Sequence, residues 1–237
     1  MAGPPDPESM LGDLAAALAE EARRVNERRL VVLAGTHEAC LAAVPALLDG
    51  ADLPRADCTY VGEAESALET VAQARAATLL GTTHAAVVFD AHDGLDPNAL
   101  GQVIGTVDGG GLLVLLAPPL DDWPDWRDAF DETLAVPPFD RSDVSGHFRR
   151  WFVDALRSHP GIAIVDVDEM RIERDGQTDP PSRAERAAPE PPEEHRFPTA
   201  AYLACLTRDQ AAVLTAFEAV ADPGTAVVVE ADRGRGK

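Results

Sequence analysis

Apolar and polar positions follow two rhythms along the first two thirds of the chain. Leu11, Leu14, Leu18 and Ala22 recur at helical spacing, with Glu20, Glu21, Arg23 and Arg24 between them, which predicts an amphipathic helix over 11–25. The unbroken run LVVLA at 30–34 predicts a buried strand. A helix over 39–48 and a short strand over 57–61 follow. Leu68, Val71, Ala72 and Leu79 predict a helix over 63–80, closed by Gly81. Residues 85–89, AAVVF, predict an interior strand. Asp96 is placed to cap the next helix, over 98–107, with Pro97 in its first turn. A strand over 112–116 is stopped by Pro118 and Pro119. A helix over 142–158 turns Phe148, Trp151, Phe152, Ala155 and Leu156 inward, and a fifth strand is expected over 162–167.

Strands alternating with helices indicate an α/β fold, a mostly parallel sheet with helices on both faces, of the Rossmann or helicase-like kind. Ligands of such sheets bind at the carboxyl ends of the strands. Gly35-Thr36-His37 and Asp90-Ala91-His92-Asp93 fall on that edge. The turn after the first strand has one glycine and no lysine, so this domain lacks its own phosphate loop. Asp90 reads either as a Mg²⁺-organising acid or as a turn cap, and without a phosphate loop the turn is the expectation. Trp123 and Trp126 are expected to cover the sheet edge rather than stack on a base. Arg141, Arg149, Arg150 and Arg157 form a basic stripe, read either as surface ion pairs or as an RNA backbone contact.

The organisation expected is an α/β domain over 1–170, a Pro-rich acidic linker over 171–198, and over 199–237 the beginning of a P-loop ATPase domain. His195, within the linker, has no ligand partner nearby in sequence. Thr207 and Gln210 are spaced as a capping box. The amide of Gln210 could equally read an adenine edge, since it both donates and accepts. Residues 226–230, AVVVE, predict a buried strand after the turn Asp222-Pro223-Gly224. The basic loop Asp232-Arg233-Gly234-Arg235-Gly236-Lys237 then reads as the first part of a phosphate-binding loop. Its first glycine is replaced by Ala231, and the Ser or Thr that holds Mg²⁺ would follow Lys237. The chain is thus expected to stop inside a nucleotide site; the strand before the loop supports that reading, and residues 226–230 lying outside any sheet would count against it.

Composition changes the picture in three ways. The net charge is −21, and Lys237 is the one lysine among 20 cationic side chains. A surface of that kind suits high salt, which screens its self-repulsion, and argues against wrapping nucleic acid through net charge. Cys40, Cys58 and Cys205 show no metal or disulfide spacing and are expected in the core. No apolar run approaches the ~20 residues of a membrane span, and the acidic, Pro-rich residues 1–9 are unlike a secretion signal, so a cytosolic setting is expected.

Several blocks in order resemble the N-terminal part of the tRNA(Met) cytidine acetyltransferase family. They are Gly81-Thr82-Thr83-His84, the run from Leu95 through Leu100, and the run from Gly109 through Leu115. His147-Phe148-Arg149-Arg150-Trp151-Phe152, Thr207-Arg208-Asp209-Gln210 and Gly234-Arg235-Gly236-Lys237 complete the set. The resemblance implies an α/β domain without its own P-loop, followed by a helicase-like ATPase module and a GCN5-type acetyltransferase domain. It implies N4-acetylation of the wobble cytidine of elongator tRNA(Met), with acetyl-CoA as donor and ATP with Mg²⁺ as the driver. By position, Gln210, Asp232, Arg233, Gly234, Arg235, Gly236 and Lys237 would contact ATP. No catalytic residue or metal ligand is implied within these 237 residues, and the segment by itself is expected to be inactive. Two rivals share the same features: another P-loop helicase or NTPase, and a non-enzymatic α/β interaction domain with a basic tail.

Overall fold

Leu11, Leu14, Leu18 and Ala22 line the buried side of the first helix, α1 (Pro7–Val25). The molecule is described here by a computed structural model over residues 7–181, 190–205 and 207–230. After α1 come β1 (Arg29–Ala34), α2 (His37–Gly50), β2 (Cys58–Val61), β3 (Glu69–Val71) and β4 (His84–Asp90). Then follow α3 (Pro97–Ile104), β5 (Val107–Ala117), α4 (Ala129–Leu134), α5 (His147–Ser158), β6 (Ile162–Asp166) and β7 (Arg171–Arg174). The last two helices are α6 (Thr199–Leu203) and α7 (Arg208–Val220). By internal packing the chain divides into two compact units, 1–183 and 184–237.

The first unit is α/β. Its seven strands run β3-β2-β4-β5-β1-β6-β7, parallel throughout except for β7, which lies antiparallel to β6. The period of two along each strand sorts side chains onto two faces. Val31 and Leu33 of β1 and Leu112, Val114 and Leu116 of β5 pack with α1 and α2. Val32 and Ala34 of β1 and Leu113, Leu115 and Ala117 of β5 pack with α3, α5 and Trp123. Both faces are therefore covered, and the interior strands are continuous apolar runs because neither face meets water.

Several elements differ from the sequence expectation. Residues 63–80 are not a helix: Glu69–Val71 is a strand, and Gln73–Leu79 a 3₁₀ segment that turns out at Gly81, φ +89°. Tyr60 and Val61 offered an open backbone edge, and β-branched Thr70 and Val71 pair with it in register. β5 starts at Val107 and crosses the glycines 109–111. α5 begins only at His147, because Asp140 caps a separate turn over Arg141–Asp143. Trp123 is fully buried, edge-on to Phe152, but Trp126 is 42% exposed and Trp151, expected inside, is 63% exposed. β7 falls in the stretch expected as linker, and the Thr178 hydroxyl beyond it donates to buried Glu21 at 2.6 Å. Glu21 also pairs with buried Arg29 at 3.0 Å. The three cysteines are buried and free, as expected.

In the second unit Phe197 stacks on Phe217 with ring centroids 5.7 Å apart, and Tyr202 is buried beneath His195. Residues 226–230 are not a strand here, which corrects the sequence expectation. They have no strand partner among the described residues, and Val228 is 91% exposed. A strand needs a neighbour for its N–H and C=O groups, and the described part of this unit supplies only helices and loops.

Candidate functional site

β1 and β4 both end on the carboxyl edge of the sheet, either side of β5. The chain leaves β1 through Gly35-Thr36 into α2 and leaves β4 through Asp90-Ala91-His92. Backbone bonds from Gly35 N–H to Ala117 O, at 3.0 Å, and from Ala91 N–H to Leu116 O, at 2.9 Å, fold both turns over the end of β5. Gly35 has to be glycine there, since a Cβ would lie 2.7 Å from Val167 and 2.9 Å from Asp168. The two turns bring His37, Asp90 and His92 together, and Tyr60 joins them from β2.

Asp90 is the centre of this group and is 2% exposed. Its Oδ1 accepts from the His92 backbone N–H at 3.0 Å and lies 2.9 Å from His92 Nδ1. Its Oδ2 lies 2.6 Å from His37 Nε2 and also accepts from the Tyr60 hydroxyl. Burial pushes the Asp90 carboxyl up, but its hydrogen-bond contacts with His92, Tyr60 and His37 outweigh it and hold the group at about 2. Asp90 is therefore a carboxylate at neutral pH. Burial, reinforced by that carboxylate, pushes the Tyr60 phenol up, so it stays a donor. Behind the cluster the Gln73 amide donates to Asp90 O at 2.6 Å and Gly94 O at 2.8 Å, pinning the loop after β4. Burial raises the nearby Cys40 thiol to about 12, which leaves it an un-ionised core group.

The start of α2 explains the absent phosphate loop. Asp168 Oδ2 accepts from Thr36 N–H at 2.9 Å, and its Oδ1 accepts from the Thr36 hydroxyl at 2.7 Å. A carboxylate of the chain itself thus sits where a helix N-terminus would hold phosphate.

The edge that the sequence marked, residues 35–37 with 90–93, is the edge the structure assembles. Asp90 does hold its turn, and it also gathers two imidazoles and a phenol. Tyr60, Gln73 and Asp168 carried no signal beyond polarity next to a strand. Gln210 forms the capping box: Thr207 N–H donates to its Oε1 at 3.1 Å, and Gln210 N–H donates to Thr207 Oγ at 3.2 Å. Asp232, Arg233, Gly234, Arg235, Gly236 and Lys237 lie outside the described residues. Most of the arginine stripe is taken up internally. Arg149 is buried against Asp128 at 2.6 Å and Asp131 at 2.8 Å, and Arg157 pairs with Asp121 and Glu173. Arg141 pairs with Glu132 at 3.2 Å, and Arg150 lies 4.0 Å from Asp125.

The fold and this edge define a class: a doubly wound α/β domain whose first strand-to-helix turn is held by its own Asp168. More specifically, the chain belongs to the family described as tRNA(Met) cytidine acetyltransferase TmcA, N-terminal, whose model matches residues 6–167. It is similar to the tRNA(Met) cytidine acetyltransferase TmcA of Haloarcula marismortui, 55% identical over 226 residues, 95% of this chain and 29% of the relative. The protein of that name from Haloferax volcanii is 53% identical over 227 residues, 94% of this chain and 30% of the relative. The one from Methanopyrus kandleri is 37% identical over 180 residues, 73% of this chain and 21% of the relative. The chain spans less than a third of the length of these curated relatives. Among the described residues no helix is long and apolar enough to cross a membrane.

Proposed function

We propose that these 237 residues are the N-terminal part of an ATP-dependent RNA acetyltransferase. The whole protein would transfer an acetyl group from acetyl-CoA to N4 of the wobble cytidine in elongator tRNA(Met), with helicase-like and acetyltransferase modules after Lys237. The observation that carries this reading is the 55% identity across nearly the whole chain to a protein bearing that name. The first unit, with its phosphate seat occupied by Asp168, would position RNA or the ATPase module rather than bind nucleotide there. ATP and Mg²⁺ would be held by Gln210, Asp232, Arg233, Gly234, Arg235, Gly236 and Lys237 with residues that follow them. Support for that half is the sequence of the loop and the place of Gln210, not a strand at 226–230. The acidic composition favours a cytoplasm of high salt.

The test uses the full-length protein, elongator tRNA(Met), acetyl-CoA and ATP, with mass spectrometry of the wobble nucleoside. N4-acetylcytidine is expected from the full-length protein and none from residues 1–237 alone. Lys237→Ala in the full-length protein should remove ATP-stimulated acetylation through loss of the phosphate contact. ATP hydrolysis unchanged in that variant would count against the nucleotide assignment, and acetylation by the short chain would overturn the division of labour.

A further inference from the structure

The hydrogen bonds around His92 do not close with protons on neutral rings. Its Nε2 lies 3.1 Å from Gly35 O, a carbonyl that can only accept, so Nε2 carries the hydrogen. In the neutral ring Nδ1 then presents a lone pair to Asp90 Oδ1 at 2.9 Å, where that oxygen presents lone pairs of its own. A cation coordinated by both atoms removes that mismatch. His37 Nε2 converges on the other oxygen of the same carboxylate at 2.6 Å, and the two rings lie 4.7 Å apart, tilted by 34°. His37, with its hydrogen on Nε2, can donate to the carboxylate as a neutral ring, so the mismatch lies at His92 alone, and one cation shared by both rings and the carboxylate removes it.

We propose that His37, Asp90 and His92 bind one divalent first-row transition-metal ion. The potential ligand atoms all lie within 4.8 Å of one another, so one ion can reach all three. Two imidazoles and one carboxylate suit zinc, ferrous iron or cobalt rather than magnesium or calcium, which prefer all-oxygen sets. The surroundings are those of a metal site. The bond from His92 Nε2–H to Gly35 O fixes the tautomer that leaves Nδ1 for the metal, and Tyr60 and the His92 backbone N–H orient the carboxylate. Asp90 and His92 form the floor, with side chains 2% and 6% exposed, while His37 is 35% exposed at the mouth. Three protein ligands leave coordination positions open on that side for water or a small oxygen ligand. The site is independent of the ATP loop and of the acetyl-transfer proposal.

The experiment strips the chain with chelator, then titrates cobalt(II), followed by visible d–d absorption, and zinc(II), followed by calorimetry. One ion per chain is expected, with a cobalt spectrum of low-symmetry nitrogen and oxygen ligation. His37→Ala, at the solvent-facing member, should keep the native circular dichroism and lose the bound ion. Tyr60→Phe should weaken binding by about 10–100-fold, the usual effect of removing an outer-shell partner. Failure of the wild-type chain to take up either ion overturns the proposal. Uptake that is unchanged in His37→Ala places the ion elsewhere and overturns it equally.

Discussion

LVVLA at 30–34 and AVVVE at 226–230 carry nearly the same message, yet only the first is a strand. β1 lies between β5 and β6, and Val31, Val32 and Leu33 are fully buried. Val228 is 91% exposed. Burying one valine or leucine side chain stabilises by about 1.5–3 kcal/mol, more than the ~1 kcal/mol that spans the whole scale of strand propensity. Apolar, β-branched sequence therefore states what a segment would do if it had neighbours. The neighbours decide whether it does so.

The sharpest way to break that comparison is to place the same charge in both runs. Val32→Asp in β1 buries an unpaired carboxylate between two strands and beneath α3 and α5. It should leave the first unit unfolded, a loss of at least about 4 kcal/mol, read by chemical denaturation in concentrated salt. A folded Val32→Asp chain would mean that β1 is not the interior strand described.

The same contrast holds for charge on α5, where Arg149 and Arg150 are adjacent. Arg149 is 1% exposed between Asp128 and Asp131, while Arg150 is exposed, with Asp125 at 4.0 Å as its ion-pair partner among the described residues. Arg149→Ala strands two carboxylates and should cost about 3–5 kcal/mol, whereas Arg150→Ala should cost within about 0.5 kcal/mol. Equal effects would show that position along the helix, not partnership, sets the cost.

Acid probes the same partners more gently. Burial pushes Asp131 up, but hydrogen bonds from Arg149 and the Asp128 backbone outweigh it and leave the carboxyl below its usual value. Burial likewise opposes, and bonds from Thr178 and Arg29 outweigh, the shift of Glu21, which is also lowered. Folded values below unfolded ones mean that both groups stabilise the fold above about pH 4. That contribution is lost as pH falls through the lowered folded values. Denaturation midpoints measured from pH 6 downward should fall below about pH 4, and Arg149→Ala should flatten the Asp131 part of the slope.

The sequence carried most of the sheet because buried parallel strands leave a signal that depends on no partner: four or five apolar residues bounded by turns. β1, β4 and the core of β5 were legible for that reason. β3 was not, since Glu69-Thr70-Val71 is a strand only through the open edge of β2, and its helical spacing of Leu68, Val71 and Ala72 pointed elsewhere. β7 and Thr178 were hidden in a polar, Pro-rich stretch because their partners, β6 and Glu21, lie far back in the chain. At the edge, topology alone brought residues 35–37 and 90–93 together. Tyr60 and Asp168 reached it through side-chain geometry that no spacing encodes.

The gentlest substitution is Val228→Asp in this chain. With the side chain already 91% exposed and no strand partner among the described residues, a carboxylate there gives up almost no burial and meets water at once. The expected change is within about 0.5 kcal/mol, against the collapse expected of Val32→Asp, although both replace a valine in an apolar triplet. Carried into the full-length protein, the same substitution asks whether the segment gains neighbours from the chain that follows. If it joins a sheet there, Val228→Asp should lower the melting temperature of the long protein while leaving that of residues 1–237 unchanged. If both are silent, residues 226–230 are a tether, and the nucleotide assignment has to rest on Gln210 and the loop from Asp232 to Lys237 alone.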